Sequence, residues 1–395
     1  MTTQHAGTAG EVFVAFLKLG LTSFGGPVAH LGFFRTAFVE RRRWLDEAAY
    51  ADLVALCQFL PGPASSQVGI AIGKQRAGYP GAIAAFVAFT LPSVVLLLAV
   101  ASGAALLGGP LAAGALHGLK VAALAVVAQA VWAMARTLTP DTARRGVALA
   151  AGLIALVLPS PVTQVTIIAL AALAGLARPV AGPDLPLRPP TRGDLFWLIG
   201  FLALLAGLPL LALGGDPAVG LIDRMYRIGA LVFGGGHVVL PLLEADFVAP
   251  GLIGRDAFLA GYGAAQAVPG PLFAFAAYVG ALQTGPPNGL AGALLALSAI
   301  YLPSFLLVFA TLDWWQGLRT NRRLRHGLDL ANAAVVGLLL AALIDPLLLD
   351  TVGGWTDLAW AAAALVLLVR RVSPPLVVLL SAATGVTTAL ASGLG

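Results

Sequence analysis

Long apolar stretches recur along almost the whole chain, as at residues 79–101 and 290–310, and short polar connections separate them. About 20 apolar residues span a bilayer as a helix, whereas the strands of a membrane β-barrel are about 10 residues long and alternate in hydrophobicity. Only 10% of the residues are charged, against roughly 25% in soluble domains. The sequence therefore predicts an all-α, polytopic helical membrane protein and excludes a soluble enzyme.

Charges and motifs exclude several function classes. The net charge of +5 comes mostly from short arginine clusters between apolar stretches, which is typical of topology signals rather than of a nucleic-acid-binding face. Cys57 is the single cysteine, so no disulfide framework and no cysteine-based metal site is expected. The sequence lacks the phosphate-binding loop, zinc-protease and nucleophile-elbow motifs. We expect a protein that is not an enzyme, surrounded by lipid, without nucleic acid, metal or cofactor.

An internal duplication organises the chain. Motifs of the first half return in the same order, and at a nearly constant separation, in the second half. The matched pairs are Phe24-Gly25-Gly26 with Phe233-Gly234-Gly235, Pro61-Gly62-Pro63 with Pro269-Gly270-Pro271, Leu91-Pro92-Ser93 with Leu302-Pro303-Ser304, and His117-Gly118-Leu119 with His326-Gly327-Leu328. We predict one repeat over residues 11–177, a proline-rich linker over 178–194, and a second repeat over 195–395 with its core starting near residue 224.

The loops of the two repeats differ in the sign of their charge. The arginines at 41–43 follow the first apolar stretch and are expected to be a topology anchor, whereas the second repeat carries Glu244 and Asp246 there. Arg144 lies in a later loop whose counterpart contains Asp357. Short basic loops stay in the cytoplasm, so matching loops are expected on opposite sides of the membrane. The pattern predicts inverted repeats.

The loops leave the number of membrane spans open. Lys74 and Arg76 also resemble cytoplasmic charges, which makes residues 48–73 a segment that enters the membrane and returns. An even number of spans between matched loops cancels the inversion, unless the segments with paired glycines also cross incompletely.

Matched helix interruptions lie inside the apolar stretches. Pro61-Gly62-Pro63 cannot continue a helix, because proline lacks a backbone donor and disfavours helical geometry in the residue before it. Gly25-Gly26-Pro27 makes a similar break, and the second repeat has its own at residues 234–237 and 269–271. Secondary transporters with inverted repeats form their substrate sites from discontinuous helices. The breaks therefore predict where a substrate binds.

The first helical turn after Pro61-Gly62-Pro63 is suited to an anion. A helix that begins there presents free backbone N–H groups and the positive end of its dipole, together with Ser65, Ser66 and Gln67. Residues 272–274, which follow the matching break of the second repeat, are apolar. Polar contacts to a substrate are therefore expected mainly from the first repeat.

Charged and titratable residues near the breaks complete the candidate site. Lys18 and Arg227 are matched cations that either face an anion or reach to the membrane interface. His30 and His237 either bind substrate and relay protons or hold a backbone carbonyl. Glu244 is the candidate for coupling to an ion or a proton, or is a residue at a helix end. The candidate substrate-binding residues are Lys18, Gly25, Gly26, Pro27, His30, Arg35, Gln58, Pro61, Gly62, Pro63, Ser65, Ser66, Gln67, Arg227, Gly235, Gly236, His237, Gln266, Pro269, Gly270 and Pro271.

The run at residues 24–32, the Pro61-Gly62-Pro63 motif with Gln67 and Gly73 after it, and their echoes in the second half resemble the two-domain form of the chromate ion transporter family. The resemblance covers almost the whole chain. It implies a protein of the bacterial inner membrane that exports chromate, a tetrahedral dianion like sulfate, from the cytoplasm. It further implies an ion gradient as the driving force and opposite insertion of the two halves.

Three alternative interpretations fit the same residues. A permease or channel for sulfate or another anion uses the same site, and a lipid-phosphate flippase also uses inverted repeats and buried cations. A structural subunit of a larger membrane complex needs neither Lys18 nor Gln67. The sequence leaves the coupling ion and the oligomeric state open, with a homodimer as one option. Lys18, the first cation, lies inside the first apolar stretch, so no cleavable signal peptide is expected.

Overall fold

The computed structural model describes residues 7–24, 26–106, 110–177, 190–233, 236–312, 315 and 321–392, and every regular element within them is a helix. Gly25 and Gly235 of the predicted site and residues 178–189 of the predicted linker lie outside the described residues. The helices that precede the linker are α1 (Ala9–Thr22), α2 (Gly26–Arg35), α3 (Glu47–Phe59), α4 (Ala64–Leu106), α5 (Pro110–Leu138), α6 (Thr142–Val157) and α7 (Pro161–Leu176).

The helices after the linker follow a similar order. They are α8 (Arg192–Ala212), α9 (Pro217–Leu231), α10 (Val239–Leu243), α11 (Arg255–Ala267), α12 (Phe275–Leu282), α13 (Gly289–Thr311), α14 (Arg322–Ala342), α15 (Trp355–Val369) and α16 (Pro374–Ser392). Short π-helical segments occupy Thr36–Arg41, Glu244–Val248 and Leu343–Leu348, and single turns occupy Gly236–Val238, Leu272–Ala274 and Leu349–Thr351. Apart from α8, the second set follows the order of the first, with α12 and α13 in the place of the single long helix α4.

Polar residues at the helix starts fix several boundaries. The Asp46 side chain accepts a hydrogen bond from the N–H of Ala49 at the start of α3. Thr191 and Asp194 form a reciprocal capping box at the start of α8. Such caps satisfy N–H groups that a helix leaves free, and each contributes about 1 kcal/mol. Both of these helices therefore begin where the sequence supplies a capping side chain.

Two helical hairpins of the first repeat have their open ends at one end of the molecule. The guanidinium groups of Arg42 and Arg76 lie 5.4 and 5.1 Å from the centroid of the Trp44 ring, and Arg76 pairs with Glu11 at 3.1 Å. The start of α1, the segment after α2 and the middle of α4 therefore meet here. Just beyond, at residues 77–78, the backbone angles are non-helical and α4 kinks.

The second repeat builds the same local structure. After the π-helical segment Glu244–Val248, the N–H of Ile253 donates to the Phe247 carbonyl at 3.1 Å, as the N–H of Trp44 donates to the Phe38 carbonyl at 2.8 Å. The loop after α12 joins this end through the N–H of Thr284, which donates to the Leu252 carbonyl at 2.7 Å. The segments after α10 and α12 are thus held together, as their counterparts are in the first repeat.

Long helices of each repeat pack between short helices of the other. Helix α5 packs against α15 and α16, and α14 packs against α6 and α7. A Cβ atom added to Gly118 of α5 would lie 2.2 Å from the Ser381 carbonyl oxygen, and one added to Gly175 of α7 would lie 2.2 Å from that of His326. Glycine allows helix backbones to approach this closely. The two repeats therefore interlock through a matched exchange of helices.

Helix α8 has no counterpart among the described residues that precede α1. It packs against α9 and α13, and only 11% of its apolar 18-residue stretch is buried inside the molecule. Within the described part of the chain, it is one of five helices that are long and apolar enough to cross a membrane. These are Ala64–Gly103, Leu111–Leu138, Arg192–Ala212, Gly289–Thr311 and Arg322–Thr351.

The paired helices α6 and α7 are shorter than a bilayer is thick. Each has 16 residues and rises about 24 Å, whereas the hydrocarbon core measures about 30 Å. Their counterparts α15 and α16 are also among the shorter apolar helices. These hairpins contribute their buried faces to the packing of the long helices rather than adding helices of full membrane length.

Replacing Gly118 by alanine is expected to destabilise the protein. The added methyl group meets the backbone of Ser381 and Ala382, and overpacking of this kind costs about 1–3 kcal/mol. Gly200→Ala in α8 is the matched control, because nothing lies within 4 Å of the added Cβ atom. Thermal unfolding of the purified protein in detergent measures both variants. Equal unfolding temperatures would contradict the close contact of α5 with α16.

Candidate functional site

The interrupted helices meet in two crossed pairs. The N–H of Gly62, in the break between α3 and α4, donates to the Val232 carbonyl at the end of α9, at 2.7 Å. The N–H of Gly270, in the break between α11 and α12, donates to the Ser23 carbonyl at the end of α1, at 2.9 Å. Ser23 and Val232 are fully buried. We call these two hydrogen bonds the tip contacts, and in each of them one repeat supplies the donor and the other the acceptor.

Both donors of the tip contacts require glycine. Gly62 has φ +121° and Gly270 has φ +98°, a region that side chains with a Cβ atom rarely adopt. A Cβ atom on Gly62 would also lie 2.7 Å from the Ser304 hydroxyl, and one on Gly270 would lie 2.2 Å from the Ser93 hydroxyl. The glycine between two prolines therefore lets the backbone of each break press against the facing repeat.

A polar side chain braces each tip contact. The Ser93 hydroxyl of α4 donates to the Pro269 carbonyl at 2.6 Å. On the other side, the Nε2 of Gln67 donates to the Pro61 carbonyl at 2.6 Å and lies 3.4 Å from the Ser304 hydroxyl. Gln67 therefore stabilises the Pro-Gly-Pro break of the first repeat, and Ser93 stabilises that of the second. The remaining predicted break residues of the described chain belong to the same region: Gly26, Pro27, Pro63, Gly236 and Pro271.

Buried polar side chains cluster at the start of α4. Ser65, Ser66 and Gln67 are all buried in its first turn, where backbone N–H groups have no helical acceptor and the helix dipole is positive. The Tyr301 hydroxyl lies next to those of Ser66 and Thr90, and none of the three makes a well-formed hydrogen bond to another described residue. Three buried hydroxyls, those of Ser66, Thr90 and Tyr301, therefore lie side by side near the start of α4.

His30 and His237 both follow shortly after the breaks, but they do not align, because His237 corresponds to Val28 and His30 to Val239. The Nδ1 of His30 lies 3.3 Å from the Ser65 hydroxyl, and its buried Nε2 has no partner within the described chain. The Nδ1 of His237 lies 2.9 Å from the Tyr262 hydroxyl. His237 also lines a cavity of about 20 Å³, which is enough for one water molecule. Other lining residues are Gly26, Pro27, Gln266 and Gly270.

A larger cavity lies beside α1. It measures about 570 Å³, within the usual range of ligand sites. Lys18 and Thr22 of α1 line it together with Thr36, Arg41 and Arg42 of the π-helical segment and its end. We call it the basic cavity, because Lys18, Arg41 and Arg42 line it, whereas the Thr22 hydroxyl donates to the Lys18 carbonyl at 2.8 Å. Sequence spacing alone did not indicate the two threonines, because only tertiary packing brings α1 against the π-helical segment.

Arg227, the residue of the second repeat that matches Lys18 in sequence, has a different environment. Arg227 contacts Asp223 at 3.0 Å and Asp246 at 3.5 Å. Lys18 is exposed to the basic cavity and makes no ion pair with a described residue. The two cations thus match in sequence position, but carboxylates balance the charge of Arg227 alone.

Two further candidate residues are engaged in ion pairs outside the tip contacts. Arg35 is exposed and pairs with Glu40 and Glu47, and its hydrogen bond lowers the pKa of Glu47. Glu244 lies 3.6 Å from the guanidinium group of Arg255.

Gln58 of α3 lies away from the tip contacts. It lines a separate cavity of about 340 Å³ between α3 and α14. The structure therefore brings together the residues of the breaks and the start of α4, while Arg35, Glu244 and Gln58 lie around them.

Long apolar helices that are interrupted, with buried polar groups between the helices, are features of membrane transporters. The molecule is accordingly a multi-pass helical membrane protein of the transporter class. It belongs to the chromate transporter family, whose sequence model matches residues 10–176 and again 219–386. This confirms the resemblance drawn from the break motifs, and the membership supports a function in chromate transport.

Individual relatives extend over most of the chain. A chromate transport protein of Pseudomonas aeruginosa is 29% identical over 362 residues, which cover 85% of this chain and 80% of the relative. One of Cupriavidus metallidurans is 27% identical over 382 residues, 94% of this chain and 91% of the relative. An uncharacterized transporter of Methanocaldococcus jannaschii is 25% identical over 400 residues, 98% and 96% of the two chains. No solved structure matches the chain.

The matched serines Ser93 and Ser304 are expected to differ in importance. Ser93→Ala leaves the buried Pro269 carbonyl without its donor, at a cost of about 1–3 kcal/mol. Ser304→Ala removes only a long contact to Gln67, which keeps its hydrogen bond to Pro61. Thermal unfolding in detergent should therefore show a lower unfolding temperature for Ser93→Ala. The opposite order, or equal values, would contradict the bracing of the tip contact by Ser93.

Proposed function

We propose that this protein is a secondary active transporter that exports chromate across the inner membrane of a bacterium. Membership of the chromate transporter family supports the substrate class. The basic cavity is the observation that carries the mechanism, because it offers the charge and the hydrogen-bond donors that a tetrahedral dianion requires. Its volume of about 570 Å³ is large enough to admit an oxyanion with part of its hydration shell.

We propose an inverted topology in which α8 supplies the inverting span. The arginine-rich end at residues 41–43 lies in the cytoplasm, and α4 and α5 cross and return. The hairpin of α6 and α7 enters and leaves on the cytoplasmic side, and α8 then carries the chain outward. The second repeat begins outside, and α13 brings the arginines at 322, 323 and 325 back to the cytoplasm. This arrangement accounts for five spans and for an odd number between matched loops.

In this topology the two entrances carry opposite charge. The basic cavity faces the cytoplasm and raises the local concentration of an anion there. Arg35 and Arg136 of the first repeat correspond in sequence position to Glu244 and Asp345 of the second. The outer end thus bears carboxylates at the positions where the inner end bears cations. An anion is attracted on the cytoplasmic side and repelled outside, which favours release over rebinding.

The tip contacts act as the barrier between the two entrances. Thr22 borders the basic cavity and directly precedes Ser23, whose carbonyl accepts from Gly270. When the tips separate, the anion passes to the start of α4, where the N–H groups and the hydroxyls of Ser65 and Ser66 donate to it. Inverted repeats that rock about such a central site give alternating access. An ion gradient drives the cycle, with Glu244 as the coupling carboxylate.

Everted membrane vesicles test the proposed function directly, because their cytoplasmic face is turned outward. Vesicles that contain the protein and maintain proton and sodium gradients should accumulate labelled chromate above its external concentration. Excess sulfate should reduce this accumulation, and dissipation of the ion gradients should abolish it. Uptake no higher than in vesicles without the protein would contradict the proposal, and equilibration without accumulation would identify a channel.

Removing a cation from the basic cavity should weaken chromate binding. For Lys18→Gln or Arg42→Gln, the loss of one charge-assisted hydrogen bond, worth about 1.5–3 kcal/mol, should raise the KM for chromate about tenfold or more. Arg43→Gln is the matched control, because Arg43 is exposed at the same end but is absent from the lining of the cavity. Initial rates in everted vesicles measure all three. Equal effects of all three variants would indicate a general surface-charge effect instead.

A further inference from the structure

A small cavity separate from the basic cavity lies where the two repeats meet. It is lined by Gln164 of α7 from the first repeat and by Pro241, Glu244 and Asp345 from the second. Its volume is about 30 Å³, and a space of about 10–15 Å³ already admits one water molecule. The cavity thus has room for one or two particles of that size, and a tetrahedral oxyanion is too large for it.

The orientation of Gln164 points to a ligand. The side chain is 6% exposed, and its Nε2 donates to the Pro241 carbonyl at 3.1 Å. This hydrogen bond directs Oε1 away from Pro241, and the buried Oε1 has no donor within the described chain. A buried amide oxygen without a partner is rare and costs about 1–3 kcal/mol. Gln164 lines the cavity together with the carboxylate residues Glu244 and Asp345. A cation is therefore the ligand that suits all three side chains.

The charges around the cavity leave an excess of negative charge. The charges of Asp345 and Asp350 both act on Glu244, and the charge of Arg255 opposes them. Arg255 lies 2.9 Å from Asp350 and 3.6 Å from Glu244, whereas Asp345 forms no ion pair with a described residue. Lys120 contacts the Asp350 carbonyl oxygen at 3.5 Å but directs its charge to Asp256, at 2.7 Å. One guanidinium group therefore faces three carboxylates.

We propose that this cavity binds a single sodium ion through Gln164 Oε1 and the carboxylate oxygens of Glu244 and Asp345. Oxygen ligands suit hard cations, and the small volume favours one compact ion over a hydrated one. The inference rests on the proposed function, in which this end of the protein faces outward. It adds the identity of the coupling ion and two ligands, Gln164 and Asp345, to the role of Glu244.

The position of the sodium site explains how binding acts on transport. Gln164 belongs to α7 of the first repeat, whereas Glu244 and Asp345 belong to the second. A bound ion therefore stabilises one arrangement of the two repeats relative to another, which is the requirement for coupling between two sites. The equivalent positions of the first repeat carry Arg35 and Arg136, so the cytoplasmic end forms no second site of this kind.

Thermal unfolding tests the sodium site without relying on transport. The purified protein in detergent is unfolded in increasing NaCl, KCl or choline chloride at constant pH and ionic strength. Sodium should raise the unfolding temperature in a saturable manner, because an ion that binds only the folded state stabilises it. Gln164→Leu and the isosteric Glu244→Gln should each lose this shift.

Gln129→Leu is the matched control for the sodium site. Gln129 also donates to a backbone carbonyl across the repeat interface, that of Leu368 at 3.2 Å, but it lies outside the cavity. This variant should keep the sodium-dependent shift. Equal stabilisation by potassium or choline, or a full sodium shift in both Gln164→Leu and Glu244→Gln, would overturn the proposal.

The same preparations separate this inference from the proposed function. Everted vesicles with and without sodium are assayed for chromate accumulation under an imposed proton gradient. Chromate accumulation without a sodium-specific shift in the unfolding temperature overturns the sodium site and leaves the exporter intact. A sodium-specific shift in a protein that moves no chromate under any gradient overturns the exporter instead.

Discussion

The two tip contacts are the interaction on which the rest of the architecture depends. A helix interruption inside an apolar environment exposes backbone groups that lipid cannot satisfy. Here the N–H groups of Gly62 and Gly270 are satisfied by carbonyls of the opposite repeat. Neither repeat therefore buries its own breaks without the other. The long helices of each repeat also pack between short helices of the other repeat.

The symmetry of the backbone contrasts with the asymmetry of the side chains. The breaks, the π-helical segments and the close helix contacts recur in both repeats, but Lys18 lines an open basic cavity while Arg227 is balanced by Asp223 and Asp246. Likewise, polar residues follow the Pro-Gly-Pro break only in the first repeat. A duplicated scaffold thus presents different side chains at matched positions of its two repeats.

Much of the architecture could be predicted from sequence because proline and glycine act locally. The all-helical fold, the family and the helix ends near Pro61-Gly62-Pro63 follow from residue patterns that the structure and the comparisons support. The inverted insertion and the roles of the site residues stay predictions. Tertiary packing decided what sequence did not indicate: the exchange of tip contacts, the pairing of Arg227 and the threonines of the basic cavity. The unmatched α8, which resolves the span count in our proposal, became evident from helix boundaries.

The central claim is that the hairpins of the two repeats enter from opposite sides and meet at their tips. Site-directed labelling tests it most directly. In a Cys57→Ser background, which removes the buried native thiol, the exposed positions of Arg43→Cys and Pro250→Cys are reacted with a membrane-impermeant maleimide. The account predicts labelling of the Arg43→Cys variant only in everted vesicles and of the Pro250→Cys variant only in intact cells. Labelling of both from the same side would contradict it.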